Sequence, residues 1–384
     1  MTVIADAAVA WRLGELFGTA PVEGPALDEA LSVLTRAAFG IDVRAGDARL
    51  EVVPYVHGSP ATGALLRLVG TAPRPWSLFC KVVQHGRHWP LITEIPPSLR
   101  DQFVAEFPWR QELALWEPPL SGSMPSGLRA PRLHAVHDLG DDRMALWQED
   151  VRESREPWTL IRYAAAARAL GRWNQRLTTR EALASTGLPA GFALRMYGDR
   201  AVPMRGITPL MSDAWDHPWF ASHLDLRGRL LVLGSRLDEL LGQADSLTQC
   251  RPHGDASPQN LLVPADEPDT FVAIDVSFQC PLPLGSDLSQ LVVGLVHADA
   301  VAASDLPAIA DTVLSSYVDG LREEGWDGDP CDVERGFCVS ALVRSGFDGF
   351  RYDLLGSDAP DARRLFDERV ALAAFIADRV DRVL

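Results

Sequence analysis

The segment "CRPHGDASPQNLL", Cys250–Leu262, sets His253, Asp255 and Asn260 close together, interrupts them with Gly254 and Pro258, and then runs into an apolar tail. It is too polar for a buried strand and too broken by glycine and proline for a helix, so it reads as a polar loop feeding a short strand. A second apolar run, "FVAIDVSFQC" (Phe271–Cys280), carries Asp275 20 residues beyond Asp255. Pairing the two runs as a hairpin brings Asp255, Asn260 and Asp275 to one end of it. Two carboxylates and an amide oxygen are hard ligands of the kind Mg²⁺ takes while sharing phosphate oxygens. Phosphoryl transfer needs metal on the phosphates, a lysine to position them and a base for the attacking hydroxyl. In that scheme Asp255 is the base, and Asn260 and Asp275 are the metal ligands.

The basic residues sharpen this reading. Of the 36 lysines and arginines only Lys81 is a lysine. An ammonium is a compact point charge and a planar guanidinium does not replace it where one oxygen cluster must be approached. Lys81 lies in "WSLFCKVV", a β-branched and aromatic run that reads as a buried strand, where a charge demands a partner. The net charge of −16 argues against nucleic acid, whose phosphates require a basic surface. No run of 18 apolar residues marks a membrane span, and the N-terminal stretch lacks the basic region of a secretory signal. The five cysteines are an odd number without C-x-x-C spacing, which fits reduced thiols and a cytoplasmic location rather than disulfides or a zinc site.

Three parts are expected along the chain. Residues 1–45 read as an N-terminal extension of two amphipathic helices. Residues 46–150 hold a hairpin turning over His57–Gly63, the Lys81 strand, a helix in "DQFVAEFPWRQELALWE" (Asp101–Glu117), and strands at Arg132–Asp138 and Arg143–Val151. Together these make a five-stranded antiparallel sheet with one helix. Residues 151–384 are mostly helical, with strong patterns at Trp158–Leu177 and Leu226–Leu247 and an irregular stretch over 183–225. The expected fold class is α+β, a small antiparallel β lobe and a larger α-helical lobe.

His253-Gly254-Asp255 with Asn260, then Ile274-Asp275, downstream of Lys81, resembles the aminoglycoside phosphotransferase and choline kinase group of the protein-kinase-like fold. The resemblance runs over about residues 46–350. It implies a small-molecule O-phosphotransferase that uses ATP or GTP with Mg²⁺, acting on a hydroxylated acceptor such as an aminoglycoside or another antibiotic. Alternatives are a metabolic sugar or amino-alcohol kinase of the same fold, and an inactive kinase-like binding protein. It further implies that Lys81 contacts the nucleotide phosphates, with Glu112 as its carboxylate partner and Glu106 as the competitor. Gly58 and Gly63 would lie over the phosphates, and the backbone of Gln148, Glu149, Asp150 and Val151 would read the purine. Asp287 would brace the loop at the start of the next helix, and His253 would support it rather than react. Val276 and Gln259 depart from the family's commoner Trp and Gly. Acceptor contacts are sought at Asp213, Asp216 and Trp219 in "DAWDHPWF", and at His297 and Asp299. A monomer or homodimer is expected.

Overall fold

The computed structural model describes residues 11–55, 58–276 and 279–384. The chain divides into two units. One contains the residues up to Trp116 together with Ala130–Arg152, and the other contains Glu117–Arg129 and Glu153–Leu384.

The first unit is built on one sheet of β1 (Ala48–Val52), β2 (Thr62–Gly70), β3 (Trp76–Gln84), β4 (Leu133–Gly140) and β5 (Arg143–Glu149). Its order is β1-β2-β3-β5-β4, antiparallel throughout. Along β2 burial alternates strictly, the period of a strand with one face on a core. β3 is central and differs, since Lys81–Gln84 are all buried. The parity of the strand explains this. Cys80 and Val82 face a core shared with Leu66, Leu68 and Trp147, whereas Val83 faces a second cluster with Phe103, Phe107 and Trp109. Lys81 shares the parity of Val83 and points to that second side.

Helix α1 (Gly24–Phe39) and the short turn Leu13–Leu16 place Leu16, Leu31 and Leu34 in the same core as the sheet. Residues 11–45 thus share the core of the first unit; the start of the first expected helix lies outside the described residues. The expected helix over 101–117 is also broken. An α-helix covers Pro97–Glu106, the chain straightens at Phe107-Pro108, and a 3₁₀ segment covers Gln111–Trp116. Pro108 has no N–H to continue the ladder and disfavours helical geometry in the residue before it. The next stretch, Glu117–Arg129, packs with the second unit, because Leu128 and Arg129 pair in parallel with Phe271 and Val272.

The second unit is mainly helical, and its helices include α2 (Leu160–Arg176), α3 (Leu288–His297), α4 (Leu306–Glu323), α5 (Pro330–Ala341) and α6 (Ala362–Val383). α2 and α4 lie backbone to backbone, since a Cβ on Gly171 would meet the Tyr317 carbonyl at 2.3 Å and one on Gly320 would meet the Arg168 carbonyl at 2.2 Å. Part of the stretch expected to be irregular is a widened helix: Phe192–Met196 is α-helical and Tyr197–Ile207 continues as a π-helix across Pro203, whereas 211–223 holds only turns and short 3₁₀ segments. A second π segment, Leu342–Gly346, ends α5. The pattern over 226–247 is two helices, Leu224–Ser235 and Leu237–Ser246. No helix among the described residues is long and apolar enough to cross a membrane. All five cysteines are free, and only Cys331 is exposed.

Candidate active site

In the first unit the buried lysine has its partner. Lys81 Nζ forms an ion pair with the Glu112 carboxylate, and the two side chains are 8% and 5% exposed. Glu112 reaches β3 because the 3₁₀ segment after Pro108 turns it inward, whereas Glu106, the competitor, accepts a hydrogen bond from Gln102 one helical turn away. Gly63 sits where the β2–β3 register slips by one residue, and a Cβ there would meet the Gln84 side-chain oxygen at 2.8 Å. Its lack of a side chain is thus used by the bulge itself. Gly58 is exposed in the preceding loop, where the Ser59 amide donates to the Tyr55 hydroxyl at 2.9 Å; His57 lies outside the described residues.

At the end of β5, Gln148 is buried, Glu149 accepts from the Arg132 amide, and Asp150 is bridged to Arg67 at 2.7 Å. Those carboxylates are spent on the strand's neighbours.

In the second unit the loop of the opening segment is held from beneath by Asp287. Its carboxylate accepts the His253 amide at 2.9 Å and the Gly254 amide at 2.8 Å, and also the Asn174 amide nitrogen at 3.0 Å. Asp287 is 2% exposed and Asn174 fully buried, so this is a desolvated anion stabilised by three donors. Gly254 stands at φ +86, a conformation open to glycine and strained for most other residues. The side chain of Asp287 makes no cap to α3; the loop and Asn174 of α2 take it instead. His253, also fully buried, accepts the Asp255 amide on Nδ1 at 3.2 Å and meets Trp173 edge to face. It fastens the turn and presents no free acceptor.

Asp255 is thereby presented with its side chain 22% exposed. Asn260 Nδ2 donates to the Asp255 main-chain oxygen at 2.9 Å and to Oδ2 at 3.1 Å. Both acceptors require the NH₂ end of the amide, which fixes its orientation and leaves Oδ1 as the atom available to a cation. A short hairpin, β6 (Leu261–Leu262) on β7 (Phe271–Ala273), and the bond from the Ile274 amide to the Asn260 carbonyl at 3.0 Å set Asp275 one residue beyond Asn260's partner. Asp275 adopts φ +58, uncommon for a residue with a side chain. Among the described residues no group of three His, Cys, Asp or Glu side chains forms a metal cage. An amide oxygen and one carboxylate, both hard donors, fit Mg²⁺, which is commonly bound by one or two protein oxygens with phosphates completing its shell. Gln259, where the resemblance leads one to expect glycine, donates to the Gly294 carbonyl at 3.4 Å and so ties the loop to α3.

One contact had no counterpart in the sequence reading. Arg344 Nη2 donates to Asp255 Oδ1 at 2.7 Å and Nη1 to the Gly254 carbonyl at 2.6 Å. Arg344 is one of 35 arginines (36 basic residues less Lys81) and carries no motif that marks it.

Among the described residues, none of the five acceptor candidates is hydrogen-bonded to this loop. Asp213 and Asp216 are exposed on a 3₁₀ turn whose Trp215 is buried against Phe220, Phe350 and Tyr352. Trp219 packs on Phe366 of α6 beneath Arg363. His297 and Asp299 are both engaged by Arg369, at 2.9 Å and 3.3 Å. Burial, reinforced by Arg369 and Arg344, pushes the His297 imidazole down to about 4.

No family model matches the chain, and no curated protein matches it by sequence. Among solved structures it is similar to an aminoglycoside 2′-phosphotransferase-IIIa in its GDP complex, at 12% identity and a TM-score of 0.49 over 91% of this chain and 98% of that one. An aminoglycoside phosphotransferase from Alicyclobacillus acidocaldarius is similar at 14% identity and a TM-score of 0.49, over 87% and 98% of the two chains. A type VIII aminoglycoside-3′-phosphotransferase is similar at 21% identity and a TM-score of 0.41, over 82% and 97%.

Proposed function

We propose that this chain transfers the γ-phosphoryl group of ATP or GTP to a hydroxyl of a small molecule. The observation that carries the reading is the buried ion pair of Lys81, the sole lysine, with Glu112 on the central strand. A buried pair contributes little net stability, so its retention asks for a functional reason, and phosphoryl transfer of the kinase type requires such a Lys–Glu pair.

Lys81, oriented by Glu112, binds the nucleotide phosphates, and the backbone of Gln148, Glu149, Asp150 and Val151 reads the purine edge. Asn260 and Asp275 would hold Mg²⁺, which offsets phosphate charge when bound. Asp255 receives the acceptor's hydroxyl proton. The acceptor oxygen bonds to the γ-phosphorus, the bond from that phosphorus to the β–γ bridging oxygen breaks, and the nucleoside diphosphate leaves with the electron pair. In a loose transition state the proton moves late, so a correctly aimed carboxylate serves even when its basicity is modest.

For the acceptor, an aminoglycoside or other hydroxylated antibiotic follows from the resemblance, and Asp213 and Asp216 are the exposed carboxylates that suit its ammonium groups. The test is thermal unfolding with ATP or GTP, with and without Mg²⁺, followed by a screen of aminoglycosides, sugars and amino alcohols for nucleotide-dependent product. A Mg²⁺-dependent stabilisation is expected. No shift with either nucleotide would sink the reading.

A further inference from the structure

Arg251, Arg344, Arg369 and Arg379 are the arginines of the second unit that are buried or nearly so, and of these Arg344 is the one bound to Asp255; many others form surface ion pairs. Those at positions 168, 176 and 229 pair with carboxylates at the rim of the fold, where a surface ion pair contributes little. Arg344 is only 12% exposed, and its two terminal nitrogens go to consecutive residues of one loop: the Gly254 carbonyl and the Asp255 carboxylate. Two donors held in a planar fork fix direction as well as distance.

The backbone that delivers it is unusual. Arg344 lies in the π segment Leu342–Gly346, which rotates side chains out of the register that α5 would otherwise impose. Its guanidinium lies 5.7 Å from the ring of Tyr197, the first residue of the other π segment. Two π-helical segments thus meet beside the Asp255 carboxylate. A widened turn is less well bonded than an α-helix, and its recurrence at one place calls for a local reason.

The consequence for Asp255 follows from the geometry. Oδ1 takes the Arg344 bond and Oδ2 takes Asn260, so rotation about the bond to the carboxylate is arrested from both sides. Each oxygen retains a second lone pair for an acceptor proton. Without Arg344, Oδ1 has no such restraint and the carboxylate can turn about its Asn260 contact.

We propose that Arg344 is a positioning residue, which aims the Asp255 carboxylate at the acceptor hydroxyl through a fork shared with the Gly254 carbonyl. This rests on the phosphotransfer reading given above. Arg344 acts through Asp255 and need not touch the nucleotide. Misaiming a reacting group by about 1 Å is enough to lower turnover roughly 100-fold.

The experiment uses the full chain with Mg²⁺ and ATP or GTP, water as the acceptor, and release of inorganic phosphate as the readout. Nucleotide affinity is measured separately by calorimetry. Arg344→Gln is expected to lower turnover by roughly 10- to 100-fold while nucleotide affinity stays within about twofold. Arg344→Lys, which can reach one of the two oxygens, should recover part of the loss. Guanidinium chloride at low millimolar concentration should partly restore Arg344→Ala and leave Asp255→Ala unaffected.

Wild-type turnover in Arg344→Gln would overturn the proposal, as would a parallel loss of turnover and nucleotide affinity, which marks a structural collapse. Rescue of neither kind in a folded variant would overturn it too. The underlying reading fails differently: the wild-type chain would show no nucleotide turnover, or Asp255→Ala would turn over as fast as wild type, and Arg344 would then have no base to aim.

Discussion

Removing one or both charges of the Lys81–Glu112 pair separates what it does for the fold from what it does for the chemistry. Both side chains are less than one-tenth exposed, on a strand buried on its two faces. Lys81→Met leaves the Glu112 carboxylate without its ammonium, and Glu112→Leu leaves the ammonium without its carboxylate. Stranding one member of such a pair destabilises by about 3–5 kcal/mol. For a unit of this size each kcal/mol moves the unfolding midpoint by roughly 2–4 °C, so a drop of roughly 6–20 °C is expected for either variant. The double variant Lys81→Met, Glu112→Leu buries two apolar chains of similar volume and no charge. It should return to wild-type stability or exceed it by about 1–4 kcal/mol. All three variants should lose nucleotide turnover, and so should Lys81→Arg, which keeps the charge in the wrong shape. Urea unfolding followed by tryptophan fluorescence reads the stabilities, and phosphate release reads the function. Two results would refute the reasoning. A double variant as unstable as the singles would mean that shape, not charge, governs the site. A double variant that still turns over Mg²⁺-nucleotide would make the pair structural only.

The other perturbations probe the second unit. Asp275→Ala should abolish the Mg²⁺-dependent part of nucleotide affinity and leave the Mg²⁺-free part, as titrations with and without chelator would report. Asp287→Ala removes the acceptor of three buried donors and should destabilise by roughly 3–5 kcal/mol by urea unfolding, whereas Asp287→Asn, which keeps two acceptor lone pairs, should lose less. His297 gives a pH dependence. Its folded value is lowered to about 4, so the unfolded chain binds the proton first as pH falls below about 6.5. Stability should therefore decline from pH 6.5 towards 4 by at most ~3 kcal/mol and flatten below, and His297→Gln should remove that part of the slope. An unchanged slope would show that His297 titrates normally.

How much of this was readable in the chain depends on the range over which each feature is specified. The five strands of the first unit were legible, because alternation and β-branched runs are local and the turn residues lie beside them. The single helix expected over 101–117 is not, because its hydrophobic spacing runs on through Pro108, which interrupts the backbone ladder. The π segment at Tyr197–Ile207 read as irregular because its spacing matches neither 3.6 nor 2 residues. The division at Glu117–Arg129 turned on the parallel pairing of Leu128 and Arg129 with residues more than 140 positions away, which no window along the sequence contains.

The site divides along the same line. Asp255, Asn260 and Asp275 fall within 21 residues, and a hairpin is enough to gather them, so their order along the chain already holds their geometry. Lys81 was marked by composition alone, since a chain that otherwise uses only arginine makes its one lysine conspicuous. Arg344 had neither advantage. It lies 89 residues from Asp255 and is one arginine among many, so only the placement of the π segment Leu342–Gly346 beside the loop selects it. The same holds for Asn174, whose amide reaches Asp287 across 113 residues. What a motif can carry is the identity of the groups that react. The groups that aim them come from wherever the fold brings a donor near, and any arginine or asparagine of suitable reach will serve. For that reason the positioning shell, and with it the choice of acceptor, is where chains with the same motif are free to differ.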